Sequence, residues 1–511
     1  MGLLIRASYA SGTQVALAAD LSQYGSTSQW RGVYFRDAKV GFTVSQTVPR
    51  DDGYELQEDG QIQMNLLGAI TTARHSTRAR VDRAFQLQSF SFSLDPGASP
   101  MSISGTVRGN ALELSFTSAA GTRTEERTLA APPQLAMNLP RRLAAEGLEP
   151  GLRLEVTVFD PATLSNAPMV VTVGERELVR LSDRSLPAFR VQSEFVGLQV
   201  TSWITETGDV LREESPTGLV AVREDREGAL ALGEAADLGM DVLEAASVVP
   251  EGQTRIVDPT AVKRLRMRLE GVELRRADMT GVGQSLDGDV VEILDPRDLE
   301  PGPPEAGLGR YLQPEPLIES DDPALVAAAR EAAGGATDDR TLAERLLRHV
   351  NARLDKAPTV SIPSAREVLR TRVGDCNEHT ALYVAMARAV GLPSRTAVGL
   401  VHLNGAFYYH AWPEVYLRTG PERGLWLPVD PTLDQFPADA THLRLLRGGL
   451  ERQAEIAAFI GQLRLTILDL EEEEQANPVL VGAQPTGALP ALPLDLPERA
   501  EGGSCWSRPR P

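Results

Sequence analysis

Cysteine is almost missing from this chain, with Cys376 and Cys505 the only two among 511 residues. A disulfide framework is therefore excluded. Lysine is nearly as scarce: Lys39, Lys263 and Lys356 are the whole set, so most positive charge is arginine. No stretch approaches the roughly 20 apolar residues that a bilayer-spanning helix needs, so no transmembrane segment is expected. Cations are outnumbered, with a formal net charge of −19. That argues against a nucleic-acid partner, because phosphate binding rests on clustered cations that displace counterions. The segment Met1–Arg6 is too short for a signal-peptide core, and Ala16–Ala18 resembles a cleavage site without an apolar segment ahead of it. No signal peptide is read in the chain as given. The compartment stays open: cell envelope or periplasm if the true start lies upstream, cytoplasm otherwise.

What is there is an ordinary globular composition, 42% hydrophobic and 24% charged, over a length that suggests about three domains. The first half alternates apolar and polar residues, as in Gln61–Leu66 and in Gln88–Leu94, where Phe90, Phe92 and Leu94 share one side. Gly109-Asn110 separates Met101–Val107 from Leu112–Phe116 as a hairpin turn. These signals predict an antiparallel β domain over residues 28–245, an open curved sheet or half-barrel, after a segment at 1–27. Residues 250–294 read as a small β connector, in which Arg264, Arg266 and Arg268 alternate with Leu265, Met267 and Leu269. A linker rich in proline and glycine follows at 295–321.

Helical spacing begins after it, giving an α+β fold class for residues 322–474. Pro323 suits a first helical turn, and Ser364 with Glu367 forms a capping-box pattern for a short helix ending near Gly374. A helix is expected from Cys376 to about Val390, then strands near 395–401, 407–417 and 424–429. A last helix is expected over Thr441–Leu470, closed by the acidic run at 471–474. The remainder, 475–511 with Cys505, reads as disordered.

The chemistry concentrates in three separated motifs: Gly374-Asp375-Cys376-Asn377, His410-Ala411-Trp412 and Asp430-Pro431-Thr432. A thiol at a helix start meets unpaired backbone N–H groups that favour its anion. Alternation puts His410, Trp412, Glu414 and Tyr416 on one strand face, and Asp430 ends the next strand, where a carboxylate can fix the histidine tautomer. His379 is the rival base, although a neighbour on the cysteine's own helix aims poorly at the thiol and suits capping or packing better. His402 and His442 read as structural. Asp434, Asp439 and His442 share a loop, but their spacing matches no calcium loop. No metal and no other cofactor is expected. Arg372 and Arg395 read as surface charge, and Pro413 implies an edge strand or a bulge.

At these motifs the chain resembles the transglutaminase-like superfamily, a circularly rearranged relative of the papain-like cysteine proteases, over about a quarter of its length. The resemblance implies Cys376 as nucleophile, His410 as base and acid, and Asp430 as orienting carboxylate, with Trp412, Asp375 and Asn377 supporting them or the substrate. It implies acyl transfer on a protein or peptide substrate through a thioester, with peptide hydrolysis or deamidation ahead of cross-linking. It also implies a bacterial relative of proteases and envelope-associated proteins. Animal cross-linking members bind the oxyanion with a tryptophan upstream of the cysteine, whereas no tryptophan lies here between Trp203 and Trp412. The first half is similar to lipoprotein-carrier-like curved sheets of the bacterial envelope. A catalytically inactive peptide-binding scaffold is the alternative reading, and the oligomeric state is open.

Overall fold

A computed structural model describes residues 21–473, apart from residue 22 and residues 67–68, 98–99, 130, 183, 233–240, 359–361 and 363. The tail at 475–511 and most of the segment at 1–27 fall outside the described residues, and so do the expectations placed on them. No helix among the described residues is long and apolar enough to cross a membrane.

Fourteen strands form one antiparallel sheet. They are β1 (Gln29–Phe35), β2 (Ala38–Arg50), β3 (Gly53–Leu66), β4 (Ala69–Asp82), β5 (Leu87–Asp95), β6 (Met101–Arg108), β7 (Ala111–Ser118), β8 (Gly121–Thr128), β9 (Arg153–Asp160), β10 (Ser165–Arg180), β11 (Ser185–Phe195), β12 (Leu198–Ile204), β13 (Val210–Glu214) and β14 (Leu219–Glu224). Two meanders, β1 to β8 and β9 to β14, join where β14 pairs with β1. The sheet stays open, with β8 and β9 at its edges. Alternation decides which face is buried: Phe90, Phe92, Ile103, Leu112, Leu114 and Phe116 all point into one core. That core also takes Phe159 of β9, whose ring lies 5.4 Å from that of Phe90, so the sheet curls until its two ends share apolar contacts. The β8 edge carries Arg123, Glu125, Glu126 and Arg127, charges that discourage a foreign strand from adding to it.

Two four-stranded sheets follow. One has the order β16 (Gln284–Asp287), β17 (Val290–Leu294), β15 (Val262–Glu270), β24 (Arg464–Glu472); the other has the order β22 (Arg423–Pro428), β21 (Ala406–Gly420), β20 (Ser394–Leu403), β23 (Leu443–Arg447). A shared core of Leu265, Met267, Val291, Leu400, Phe407 and Leu443 holds them together. Four helices cover the remaining apolar surface: Pro323–Ala333, Asp339–Arg353, Ala365–Thr371 and Cys376–Ala389. The helix Cys376–Ala389 is buried along most of its length. The chain as a whole is mostly β, so α+β describes only its last third.

Four expectations need correction. The helix over Thr441–Leu470 is instead β23, a short helical stretch from Leu450 to Ala458, and β24. Gly448 (φ 132°) and Gly461 (φ 74°) break the chain, and Leu465 and Ile467 alternate into the core with a period of two. The segment 295–321, read as a linker, is fastened to the C-terminal half: Gly302 bridges Gly424, and Arg388 reaches both Glu315 and the Gln313 carbonyl at 2.7 Å. Pro413 lies in the inner strand β21 with no bulge against β20. Its carbonyl accepts from Val429, one residue past β22, so the donor it lacks is missing where the ladder ends anyway. Finally, Arg395 is buried and not surface charge.

Arg395 belongs to a cluster in which Arg395, Arg444 and Arg447 each reach the fully buried Glu414 at 2.8 Å. Arg395 also lies flat over the Trp426 ring at 3.8 Å. Burial alone would raise the Glu414 pKa, but the three guanidinium charges hold it at about 2. Removing this anion would strand three cations away from water. Glu414→Gln is expected to lower stability by about 3–5 kcal/mol in urea unfolding, and a loss under 1 kcal/mol would show the cluster to be solvated.

Candidate active site

The thiol is placed by its own helix start. Asp375 has extended backbone geometry and accepts from the Asn377 N–H at 3.0 Å, while Glu378 reaches back to the Asp375 N–H at 2.9 Å. This reciprocal cap fixes the first turn. It also explains Gly374: a Cβ there would run into the Glu378 side chain. His379, the rival base, is fully buried and its Nδ1 contacts the Asp375 carbonyl at 2.7 Å, a capping contact pointing away from a catalytic role.

Strand β21 delivers His410. Its Nε2 donates to Oδ2 of Asp430 at 2.7 Å, which leaves Nδ1 as the free ring nitrogen. Trp412 is buried and stacks on the His410 ring at 6.1 Å, shielding it from water. Asp430 sits in the turn after β22, where its Oδ1 accepts from the N–H groups of Thr432 (2.7 Å) and Leu433 (3.0 Å). An Asp-Pro-Thr sequence suits this turn, because an Asp side chain closes it onto the backbone two residues on. Burial alone would raise the Asp430 pKa; the charge and hydrogen bonds of His410 and His442 hold it well below the usual carboxylate range.

Cys376 packs against the core that contains Ala411, and the Ala411 backbone N–H faces its sulfur. The thiol is thus brought to the residue next to His410. Among the described hydrogen bonds none joins Sγ to the His410 imidazole. Burial, then the charge of Asp375, raise the thiol pKa well above its ordinary value; the Ala411 N–H opposes them, and Glu378 and Asp430 add to the rise. These influences favour the thiol over the anion that the helix start alone would favour.

His442, read from the sequence as structural and as sharing a loop with Asp434 and Asp439, also meets Asp430. It arrives at the start of β23, fully buried, with Nε2 3.2 Å from Oδ2 of Asp430 and Nδ1 3.3 Å from Asp439. Asp434 instead pairs with Arg348 at 2.6 Å. The donor atoms of His410, Asp430 and His442 lie within 4.8 Å of one another. The 2.7 Å contact is shorter than the roughly 3.3 Å that two ligands of one tetrahedral zinc keep apart, so the trio is arranged as a hydrogen-bonded set. Only the order Asp439-x-x-His442 could have pointed to it.

Two spaces adjoin the thiol helix. One of about 990 Å³ lies between the large sheet and the helix Ala365–Thr371, lined by Ile70, Phe116, Leu317, Val368, Val373 and Glu378 among others. The second is about 40 Å³, lined by Asn377, Thr380 and Ala411 and closed over by Arg127 and Leu164 of the large sheet.

A thiol at a capped helix start, a strand histidine and an aspartate after the next strand lie within one segment of the chain. Residues 326–431 match the family model of the transglutaminase-like superfamily. An uncharacterized protein of Mycobacterium tuberculosis and one of Mycobacterium bovis are each 30% identical over 159 residues, which is 28% of this chain and 50% of theirs. The chain thus spans half the length of these curated relatives. Among solved structures, a cysteine protease candidate from Cytophaga hutchinsonii is similar at 16% identity over 42% of this chain and 86% of its own, with a TM-score of 0.27. A β-barrel-like protein of Brucella abortus is similar at 12% identity over 38% of this chain and 95% of its own, with a TM-score of 0.31.

The paired groups make stability depend on pH. Burial lowers the His442 pKa, but its bonds to Asp430 and Asp439 outweigh burial and lift it from 6.5 to about 10. Its contribution is complete below pH 6.5 and is lost as pH rises through 10. Asp430, being depressed, contributes above its ordinary value of 3.8 and loses that contribution as pH falls. Calorimetry should show Tm falling between pH 7 and 10 more steeply for the wild type than for His442→Gln.

Proposed function

We propose that this protein is a cysteine-dependent amidase of proteins or peptides, working through a thioester, with hydrolysis or deamidation preferred over cross-linking. The observation that carries this reading is the 2.7 Å His410–Asp430 bond, held next to the Ala411 peptide that faces Cys376.

With the surroundings favouring the thiol, the reaction calls for a base. His410 Nδ1 takes the thiol proton as sulfur attacks the amide carbonyl, and Asp430 stabilises the imidazolium that forms. The backbone N–H of Cys376, at the helix start, is one donor to the developing oxyanion. His410 then returns the proton to the departing amine, leaving a thioester. Water, deprotonated by the same imidazole, resolves it and regenerates the thiol. The 990 Å³ cavity, walled by both halves of the chain and meeting the thiol helix at Glu378, is large enough for a peptide, and Cys376 and His410 are not among its lining residues.

That cavity also suits the scaffold alternative, and one experiment separates the two. Peptide mixtures incubated with the protein are compared by mass spectrometry with the same mixtures incubated with Cys376→Ala. Backbone cleavage or replacement of a side-chain amide by acid is expected with the wild type alone. His410→Ala is expected to slow turnover by roughly a thousandfold or more. Identical spectra for the wild type and Cys376→Ala would overturn the enzymatic reading.

A further inference from the structure

One buried titratable side chain at the site has no part in the steps above. His442 sits behind Asp430, in the gap between the β22 turn and β23, with neither ring nitrogen free. Nε2 lies 3.2 Å from Oδ2 of Asp430; Nδ1 lies 3.1 Å from the Asp439 carbonyl and 3.3 Å from its carboxylate. All three partners are acceptors, and a neutral imidazole carries only one N–H. Only the doubly protonated ring satisfies both ends.

Asp439 is itself fixed for this task. Its Oδ1 accepts from the Thr441 N–H and hydroxyl at 2.9 and 2.6 Å, and Gln435 donates to its other oxygen at 2.8 Å. Around the His442 ring, β21 contributes His410 at 5.9 Å between ring centroids and Trp412, edge-on, at 5.1 Å. The 430–442 loop contributes Asp430 and Asp439. His402 of β20 and Asp258 feel the Asp439 charge. Among the described residues, the side chains bonded to these two carboxylates are those of His410, His442, Gln435 and Thr441.

We propose that His442 is a positioning residue held as a permanent imidazolium, whose charge offsets Asp430 and keeps His410 available as a base near neutral pH. The proposal rests on the reading of His410 as the general base. Both histidines share one oxygen of one buried carboxylate, at 2.7 and 3.2 Å. Asp430 next to a neutral partner would draw a second proton onto His410 and leave it unable to accept from the thiol. A fixed cation on the far side of the same carboxylate opposes that proton. It leaves intact the hydrogen bond that orients the ring. The upward displacement of the His442 pKa agrees with this arrangement.

The test has two parts. In Cys376→Ala protein with ¹⁵N-labelled histidine, both ring nitrogens of His442 should keep the N–H type of signal from pH 6 to 8.5. In the Asp439→Asn variant of that protein, one proton should leave nearer neutrality. A bare ring nitrogen on His442 at pH 7 in Cys376→Ala alone overturns the proposal, whatever the enzyme does. In otherwise native protein, His442→Gln keeps a donor toward Asp430 and removes the charge. The acid limb of its kcat/KM profile should then move up by about one pH unit. A lower plateau with the limb unmoved would mean that His442 is only packing, and would overturn the charge role. Absence of turnover in the wild type, with His442 still doubly protonated, would instead sink the enzymatic reading alone.

Discussion

The arrangement at the centre of this molecule depends on how one carboxylate is shared. Asp430 is fully buried and spends one oxygen on two backbone N–H groups and the other on two imidazoles. A buried anion is tolerable only when its hydrogen-bonding capacity is filled in this way. The backbone pair fixes where the carboxylate lies, and the imidazole pair fixes what it does. Around it, β21 must present His410 and Trp412, β22 must stop at Pro428, and the following loop must return to place His442.

A second buried anion, Glu414, does for the sheet what Asp430 does for the site. Arg395 of the neighbouring β20, and Arg444 and Arg447 of β23 beyond it, converge on Glu414 of β21, so register errors between these strands would leave cations unpaired. Glu414 and His410 share one face of β21. The ion cluster thus holds the strand that carries the base, two pairs of residues away.

Much of this was legible in the sequence, and the parts that were not share a cause. Cys376, Asp375 and Gly374 announce themselves because a helix cap is a local device: all partners lie within four residues. The large sheet was legible for a similar reason, since alternation in Phe90–Leu94 or Leu112–Phe116 records which face meets the core. The bond from His442 to Asp430 was not legible because the two stand 12 residues apart across an irregular loop, and nothing periodic links them. Arg395 looked like surface because its counter-charge lies on another strand. The misread helix after Thr441 shows the opposite error: closely spaced leucines at 443, 445 and 446 serve a helix or a buried strand equally, and the two glycines at 448 and 449 were the better signal.

The pairing of β15 with β24 has a consequence for how the chain is made. These strands lie side by side, yet almost two hundred residues of sequence separate them, and the entire thiol-bearing segment is threaded between. During synthesis, the three-stranded ribbon of β15, β16 and β17 must wait with an open flank until β24 leaves the ribosome. Loop closure over that distance is slow to find, and an unpaired flank is exposed meanwhile. β24 therefore acts as a latch: chains released before it is made would lack part of the core that the two four-stranded sheets share.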